Sequence, residues 1–274
     1  MNTENTESNL LVNAFNEEEK KGINELKALL PEIIKDSGVP ENYTLWGISL
    51  DKDSSDDRLD VILRKFLKAR NLDVNLAKEM LTNSLKWRIE FKTDSILSET
   101  FPESIFAKVG FIHKHDKYNR PVTYNLYGGL DNNEVFGDLD RFLRWRVQLM
   151  EKGIQHLDFV KVDQIAQVHD YNMVSMMSYD KTAKTASKSV IQIIQENYPE
   201  FLAVKYFINV PWWGDYIFKF ISMFLSEETK SKFIVASQSN VKECMTAAID
   251  EGNLPVAYGG QSIVPGFEVE EVNV

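Results

Sequence analysis

The sequence predicts an α/β fold in which an all-helical N-terminal lobe precedes a domain built on a mostly parallel sheet. Two observations predict it. Through roughly the first hundred residues, apolar side chains recur at helical spacing. From about residue 105, short runs rich in Val, Ile, Phe and Tyr alternate with longer helical stretches. Because strands that alternate with helices of this length are joined by crossover connections, the second part is predicted to contain a parallel sheet.

The 274 residues are predicted to divide into four parts. Residues 1–14 are expected to be a disordered tail, 15–102 the helical lobe, 103–265 a ligand-binding α/β domain, and 266–274 a C-terminal tail. The first ten residues lack the basic start and the apolar run of a signal peptide. With 43% hydrophobic and 26% charged residues, the chain has the composition of a soluble globular protein with a sizeable core.

The helical lobe is predicted from three amphipathic segments. The first is interrupted at Pro31, which removes a helical hydrogen bond, and the second follows a cluster of polar cap residues. The apolar side chains that share one face in these segments are Ile23, Leu26, Leu29 and Leu30, then Leu59, Ile62, Leu63, Phe66 and Leu67, and finally Leu76, Met80, Leu81, Leu85 and Trp87.

The α/β domain is predicted from five short apolar runs and two intervening helices. The helices are "LDRFLRWRVQLMEKGIQHLD" and "SKSVIQIIQENYPE". The runs have the length and the β-branched and aromatic content of strands. They are "FAKVGFIHKH", "RPVTYNLYG", "QIAQVHDY", "VKYFINVP" and "SKFIVAS".

Charge and cysteine content exclude several classes of protein. The net charge is −10, of which residues 1–60 carry −8, so no concentrated basic face is available for nucleic acid or for anionic membranes. The single cysteine, Cys244, allows no internal disulfide and fits a reducing compartment. The longest apolar stretch, "YIFKFISMFL", is about half of the ~20 residues that a bilayer requires.

Common catalytic motifs are absent from the sequence. It contains no GxGxxG after a strand, no P-loop and no GxSxG. None of the four histidines stands in an HExxH arrangement. We therefore expect a binding protein and not an enzyme.

Several segments taken together resemble the CRAL-TRIO family, the lipid-transfer proteins named after the yeast secretory protein Sec-fourteen. The segment from Leu63 to Phe91 matches the family's helical lobe, and "NRPVTYNLYG" is similar to the strand that enters its domain. The segment that begins "IQENYPEF" and the motif "NLPVAYGG" look like its later strands, gate helix and closing motif. The resemblance covers roughly residues 45–262. It implies a sheet that, with a lid helix, encloses a large apolar pocket for one hydrophobic molecule.

The resemblance implies that the lid helix runs from Trp212 to Leu225. This segment is apolar nearly all round, apart from Asp215 and Lys219, and a helix without a polar face is either buried or exposed to lipid. The tryptophans at its start favour membrane interfaces. We therefore expect transient membrane contact through the lid and a cytoplasmic location, with peripheral association to the endoplasmic reticulum or other internal membranes. The alternative is an ordinary core helix.

Family members that transfer phosphatidylinositol contact its inositol phosphate through an Arg, a Glu, a Thr and a Lys. The residues that match here are Arg70, Glu200, Thr229 and Lys232, and cations suit a phosphate. The sequence departs from the pattern at Phe201, where members commonly have Arg. The resemblance thus implies phosphatidylinositol as a ligand, although surface ion pairs would explain the same charges.

His169 and Tyr171 lie two residues apart in "DQIAQVHDYNM", at the end of an apolar run. On an extended strand their side chains share one face, while Asp170 points to the other and is expected to be structural. An imidazole and a phenol are costly in an apolar pocket unless they are satisfied. Ferric haem would satisfy them, because tyrosinate is a known axial ligand and His169 could hydrogen-bond the phenolate. The alternatives are His169 as the axial ligand, and a Tyr–His pair satisfied by buried hydrogen bonds.

Within the family, the chain looks closest to a fungal haem-binding branch, the fifth Sec-fourteen homologue, through "YNLYG", "LMEKGIQHLDF" and "QVHDY". This likeness implies Tyr171 as the haem ligand, His169 as its neighbour and Arg146 as the partner of a propionate. One departure is Arg70, where the branch can carry a Tyr near the haem. We predict a haem-binding carrier or sensor, with phosphatidylinositol transfer as the alternative. A haem enzyme such as a peroxidase is a third class, which a tyrosinate ligand disfavours.

Overall fold

The computed structural model of this chain describes residues 9–175, 180–214, 219 and 222–267. Its described residues fall into two compact units. The first unit draws on residues 1–94, 157–163 and 194–201, and the second on residues 95–156, 164–193 and 202–274.

The observed division differs from the predicted boundary after residue 102. It falls at Asp94, and two later segments belong to the first unit. They are held there by Lys65, whose Nζ donates to the Asp163 carbonyl at 2.7 Å and to the Glu200 carbonyl at 3.0 Å. The Phe201 ring also packs edge-on against Trp46, with centroids 4.7 Å apart. Contacts between residues so distant in sequence leave no local signal, so a contiguous division missed them.

Apart from the first, the helices of the first unit form where the apolar ladders predicted them. Asn16 and Glu19 form a capping box at the start of the second helix, and Asp73 caps the start of the fifth. The helices are α1 (Leu10–Asn13), α2 (Glu17–Ala28), α3 (Leu30–Ser37), α4 (Arg58–Lys68) and α5 (Val74–Phe91), with a small hairpin of β1 (Thr44–Leu45) and β2 (Ile48–Ser49).

Two expectations for this unit need correction. Helix α1 begins inside the segment 1–14 that was expected to be disordered, because the Asn9 side chain caps its first turn. Leu76, predicted on the buried face of α5, is exposed, since it lies in the first turn of that helix. Most of the predicted ladder is buried, including Leu26, Phe66 and Leu81.

The second unit contains a five-stranded sheet with the strand order β3-β4-β5-β6-β7. β3 and β4 form an antiparallel pair, and every other neighbouring pair is parallel. The predicted mostly parallel sheet is therefore confirmed. The strands are β3 (Gly110–His115), β4 (Pro121–Leu126), β5 (Ile165–Asp170), β6 (Leu202–Ile208) and β7 (Phe233–Val235).

The helices of this unit connect the strands. Two 3-10 helices, Thr93–Ser98 and Val256–Tyr258, are also present. The α-helices are α6 (Glu103–Phe106), α7 (Asn132–Phe136), α8 (Leu139–Ile154), α9 (Lys181–Asn197), α10 (Glu227–Ser231) and α11 (Val241–Ala248).

The two faces of the sheet differ in chemistry. One face is apolar and packs against α11; it carries Val122, Tyr124, Ala166, Val168, Val204, Tyr206 and Ile208. Strand alternation and the parallel register place the intervening residues on the opposite face. We call this opposite face the polar face and define it by Thr123, Asn125, Gln167, His169, Lys205 and Phe207.

The predicted lid helix lies partly outside the described residues, because 215–218 and 220–221 are not among them. At its two ends, the Trp212 side chain is 90% exposed and that of Met223 is 71% exposed. Among the described helices, none combines the length and the apolar character needed to cross a membrane.

Candidate functional site

Tyr171 and His169 lie side by side on the polar face. Tyr171 directly follows β5, and its backbone N–H donates to the Ile208 carbonyl at 3.0 Å, which continues the pairing with β6. The rings of both residues contact Tyr127 and Phe207, with centroid distances between 5.1 and 6.1 Å. Both side chains are buried. The prediction that they share a face is confirmed.

Asp170 points to the other face and ties the end of β5 in place. Its Oδ1 accepts hydrogen bonds from the Asn172 backbone N–H at 2.8 Å and from the Asn209 amide at 2.7 Å. Its Oδ2 accepts a hydrogen bond from the Tyr258 hydroxyl at 2.8 Å. The carboxylate is buried and saturated by protein donors, so its predicted structural role is confirmed.

His169 is held as a neutral imidazole between two polar partners. Burial lowers its pKa well below the usual value, and the charges of Lys205 and Arg146 lower it further. Its Nδ1 lies 2.8 Å from the Tyr127 hydroxyl and its Nε2 lies 3.3 Å from Gln167 Oε1. Because an amide oxygen only accepts, Nε2 carries the proton and donates to Gln167, while Tyr127 donates to Nδ1.

These bonds show which groups His169 contacts. The sequence indicates it as a hydrogen-bond partner for a haem-bound Tyr171 phenolate, and in the structure its two ring nitrogens contact Tyr127 and Gln167. The reason is geometric: residues two apart on a strand stand side by side, whereas Tyr127 reaches His169 across the pairing of β4 with β5. Tyr127 was missed because strand alternation identifies a face and not a cross-strand partner.

The backbones that carry the two tyrosines approach each other closely. The Tyr127 N–H donates to the Asp170 carbonyl at 3.0 Å. In the residues that follow the two tyrosines, a Cβ added to Gly128 would overlap the backbone carbonyl of Asn172. Only glycine permits this approach, so Gly128 in "YNLYGG" allows the loops after β4 and β5 to come together.

Two cations lie beside this aromatic group without a carboxylate partner among the described residues. Arg146, on α8, is half-buried, and its pKa is lowered by burial while the neighbouring Tyr127 phenol partly offsets this. Lys205, on β6, is half-buried, and burial together with the Arg146 charge lowers its pKa to about 7. The Lys205 ammonium lies 5.5 Å from the centroid of the Phe233 ring.

Lys205 was missed by the sequence reasoning, although a signal was present. A lysine in the middle of the apolar strand "LAVKYFI" interrupts a run that a parallel sheet would normally bury on both faces. Arg146, predicted from family resemblance, is on α8, and its charge acts on both His169 and Lys205.

The four predicted head-group residues are divided between the two units. In the first unit, Arg70 donates to the Ala69 carbonyl, and Glu200 adopts a left-handed backbone conformation with φ of 55°. In the second unit, the Thr229 hydroxyl lies 3.0 Å from that of Ser226, and Lys232 forms an ion pair with Glu228 at 3.7 Å. No group of three or more His, Cys, Asp or Glu side chains suited to a metal occurs within the described ranges.

Comparison with known families matches the chain to two consecutive domains. Residues 22–83 match the CRAL/TRIO N-terminal domain, and residues 105–260 match the CRAL/TRIO domain. Among solved structures, one described as the crystal structure of Sfh5 superposes with a TM-score of 0.77 at 33% sequence identity, covering 90% of this chain and 88% of that chain.

Curated relatives come from plants and fungi. Patellin-3 of Arabidopsis thaliana is 39% identical over 90% of this chain and 52% of the patellin. The phosphatidylinositol transfer protein SFH5 of Kluyveromyces lactis is 36% identical over 95% of this chain and 88% of its own length. The chain spans between 38% and 62% of the length of four patellins that it matches.

Proposed function

Because the chain belongs to the CRAL/TRIO family, whose lipid-transfer members include the fungal relative above, we propose that it carries one largely apolar ligand and that this ligand is ferric haem held through Tyr171. The observation that carries the proposal is Arg146, a half-buried guanidinium with no carboxylate partner among the described residues, beside the partly buried phenol of Tyr127, whose ring contacts the buried Tyr171. A charge in such a place is stable when a ligand supplies the anion.

The residues of the polar face fit the parts of a haem. Bound ferric haem would supply a Lewis-acidic iron, for which tyrosinate is a known axial ligand. Tyr127 and Phe207 present aromatic rings to an apolar macrocycle. Arg146 offers a planar guanidinium to a propionate. His169, bonded to Tyr127, fixes the orientation of that second phenol and acts as a positioning residue.

Replacement of Tyr171 by phenylalanine tests this proposal. We expect ferric haem titrated into the wild-type protein to give the absorbance spectrum of a tyrosinate complex, and Tyr171→Phe to lose that spectrum and to bind haem at least about tenfold more weakly. The matched control is Tyr118→Phe, which removes a hydroxyl from a side chain that is 74% exposed. Identical spectra for wild type and Tyr171→Phe would overturn the assignment of Tyr171.

Phosphatidylinositol transfer is the second candidate function. It is supported by the name of the Kluyveromyces lactis relative and by Arg70, Glu200, Thr229 and Lys232, which match the residue types that the family uses for an inositol phosphate. The ion pair of Lys232 with Glu228 is compatible with this role, because a phosphate competes for the same ammonium.

Vesicle transfer measurements test the second candidate. We expect the protein to move labelled phosphatidylinositol between vesicles, and Lys232→Ala and Glu200→Ala each to slow this transfer about tenfold. Lys230→Ala is the control, because Lys230 lies two residues away in an exposed pair with Glu227. Transfer no faster than in protein-free vesicles would exclude this activity.

We further propose that the segment from Trp212 to Leu225 touches membranes transiently. Its exposed Trp212 and Met223 support this, since both side chains favour a lipid interface over water. The corresponding location is the cytoplasm, with peripheral association to the endoplasmic reticulum or other internal membranes. In this proposal the protein is a carrier or sensor and not an enzyme, and the absence of peroxide turnover in the haem-loaded protein is the expected result.

A further inference from the structure

The strongest unexplained feature of the second unit is the pair of cations on its polar face. Lys205 projects from the middle of β6, where the parallel register aligns it with Gln167 on β5 and Phe233 on β7. Arg146 on α8 lies close enough for its charge to act on Lys205. Gln167 and Phe233, the strand neighbours of Lys205, are both uncharged.

Within the described part of the chain, neither of these two cations forms an ion pair with a carboxylate. Several other half-buried cations have carboxylate partners, as Arg144 has in Glu99 and Arg120 in Asp116, whereas Arg70 and Arg141 donate to backbone carbonyls. Lys65, almost fully buried, contacts Asp163 at 2.8 Å. An ammonium and a guanidinium placed together without such partners repel each other and lose hydration, so the fold is destabilised by their presence.

We infer that Arg146 and Lys205 form one anion-binding pair, which recognises two acidic groups on the edge of an otherwise apolar ligand. The inference rests on the proposed function to the extent that an apolar ligand occupies the polar face. It goes beyond that function because the pair acts on the acidic groups and not on a metal. Lys205, which neither the sequence nor the family resemblance indicated, becomes a specificity-determining residue.

Two charges on an apolar body distinguish a dicarboxylic porphyrin from a phospholipid. Both ligands carry anionic oxygen, which an ammonium and a guanidinium bind well. A phosphodiester offers one negative charge, whereas two propionates offer one to each cation. The aromatic rings of Tyr127, Tyr171 and Phe207 beside the cations favour the flat macrocycle over flexible acyl chains.

Metal-free protoporphyrin IX separates this inference from iron ligation by Tyr171. In fluorescence titrations, we expect the wild-type protein to bind metal-free protoporphyrin IX at least about tenfold more tightly than its dimethyl ester. Lys205→Met and Arg146→Met should each weaken binding of the diacid about tenfold and leave binding of the diester unchanged. Lys242→Met, which removes an exposed lysine from α11, should change neither. Thermal unfolding of each variant shows that it is folded.

Three outcomes would overturn the inference. The first is equal affinity of the wild-type protein for the diacid and the diester. The second is an equal change in diacid affinity in Lys205→Met and Lys242→Met. The third is a Lys205→Met protein that no longer binds phosphatidylinositol in vesicles but still binds the porphyrin diacid as tightly as the wild type. An unchanged haem spectrum in Tyr171→Phe would contradict only the proposed iron ligation, because the porphyrin in this experiment contains no iron. The two proposals therefore fail separately.

Discussion

Lys205→Met is expected to raise the free energy of unfolding of the ligand-free protein by about 2 kcal/mol at pH 6. The reason is that the wild-type ammonium is half-buried beside Arg146, with no carboxylate partner among the described residues. A pKa held at about 7 instead of the ordinary 10.5 sets an upper bound of about 5 kcal/mol on the cost of its charge. Relaxation and water around the charge reduce this to about 2 kcal/mol. Methionine keeps the unbranched apolar stem against Phe233.

The effect should depend on pH in a defined direction. The unfolded chain holds the Lys205 proton up to about pH 10.5, and the folded protein releases it near pH 7. Between these values the unfolded state binds more protons, so the wild-type protein gains stability as the pH rises. The advantage of Lys205→Met is therefore full below pH 7 and disappears as the pH approaches 10.5. Arg146, His169, Gln167 and Phe233 are the groups that surround this lysine.

Urea unfolding of the ligand-free proteins at pH 6 and at pH 9 measures this prediction. At pH 6, a stabilisation of about 2 kcal/mol corresponds to a Tm increase of about 4–8 °C. Lys242→Met is the control for removal of an exposed charge and should change stability little. Equal or lower stability of Lys205→Met at pH 6 would show that the lysine has an intramolecular partner.

Asp170→Ala is expected to lower the free energy of unfolding by about 3 kcal/mol. The buried carboxylate accepts three hydrogen bonds, and its loss leaves the Tyr258 hydroxyl and the Asn209 amide without their acceptor. Tyr258 is buried, so its hydroxyl cannot turn to water. Because Asp170 also fixes the end of β5, we expect ferric haem binding to weaken together with stability.

The control for this prediction is Asp170→Asn, which keeps one acceptor oxygen and the same shape. It should cost about 1 kcal/mol, since only part of the hydrogen bonding is lost. Urea unfolding curves of the two variants, with the slope compared as well as the midpoint, give the measurement. A loss below 1 kcal/mol for Asp170→Ala would mean that the three donors find other acceptors.

The fold could be predicted from the sequence because its signals are local. Strand and helix alternation identified the parallel sheet, and the apolar ladders identified α4 and α5. The assignment of residues 157–163 and 194–201 to the first unit could not be predicted, since it depends on contacts such as that between Lys65 and Glu200, which are 135 positions apart.

The candidate site was predicted in part for the same reason. Alternation along one strand placed His169 and Tyr171 on a common face, and the opposite direction of Asp170 followed from it. The partner of His169 could not be predicted, because Tyr127 directly follows the neighbouring strand β4 and lies 42 positions away. Lys205 was visible as a charge within an apolar strand, but its significance depends on Arg146, which another element supplies.

The close approach of Gly128 to Asn172 limits how the chain can evolve. Any larger residue at position 128 would have to separate the loops that carry Tyr127 and Tyr171. Homologous chains that keep these two loops in contact should therefore retain this glycine. A larger residue at position 128 in a related sequence would indicate that the loops have moved apart.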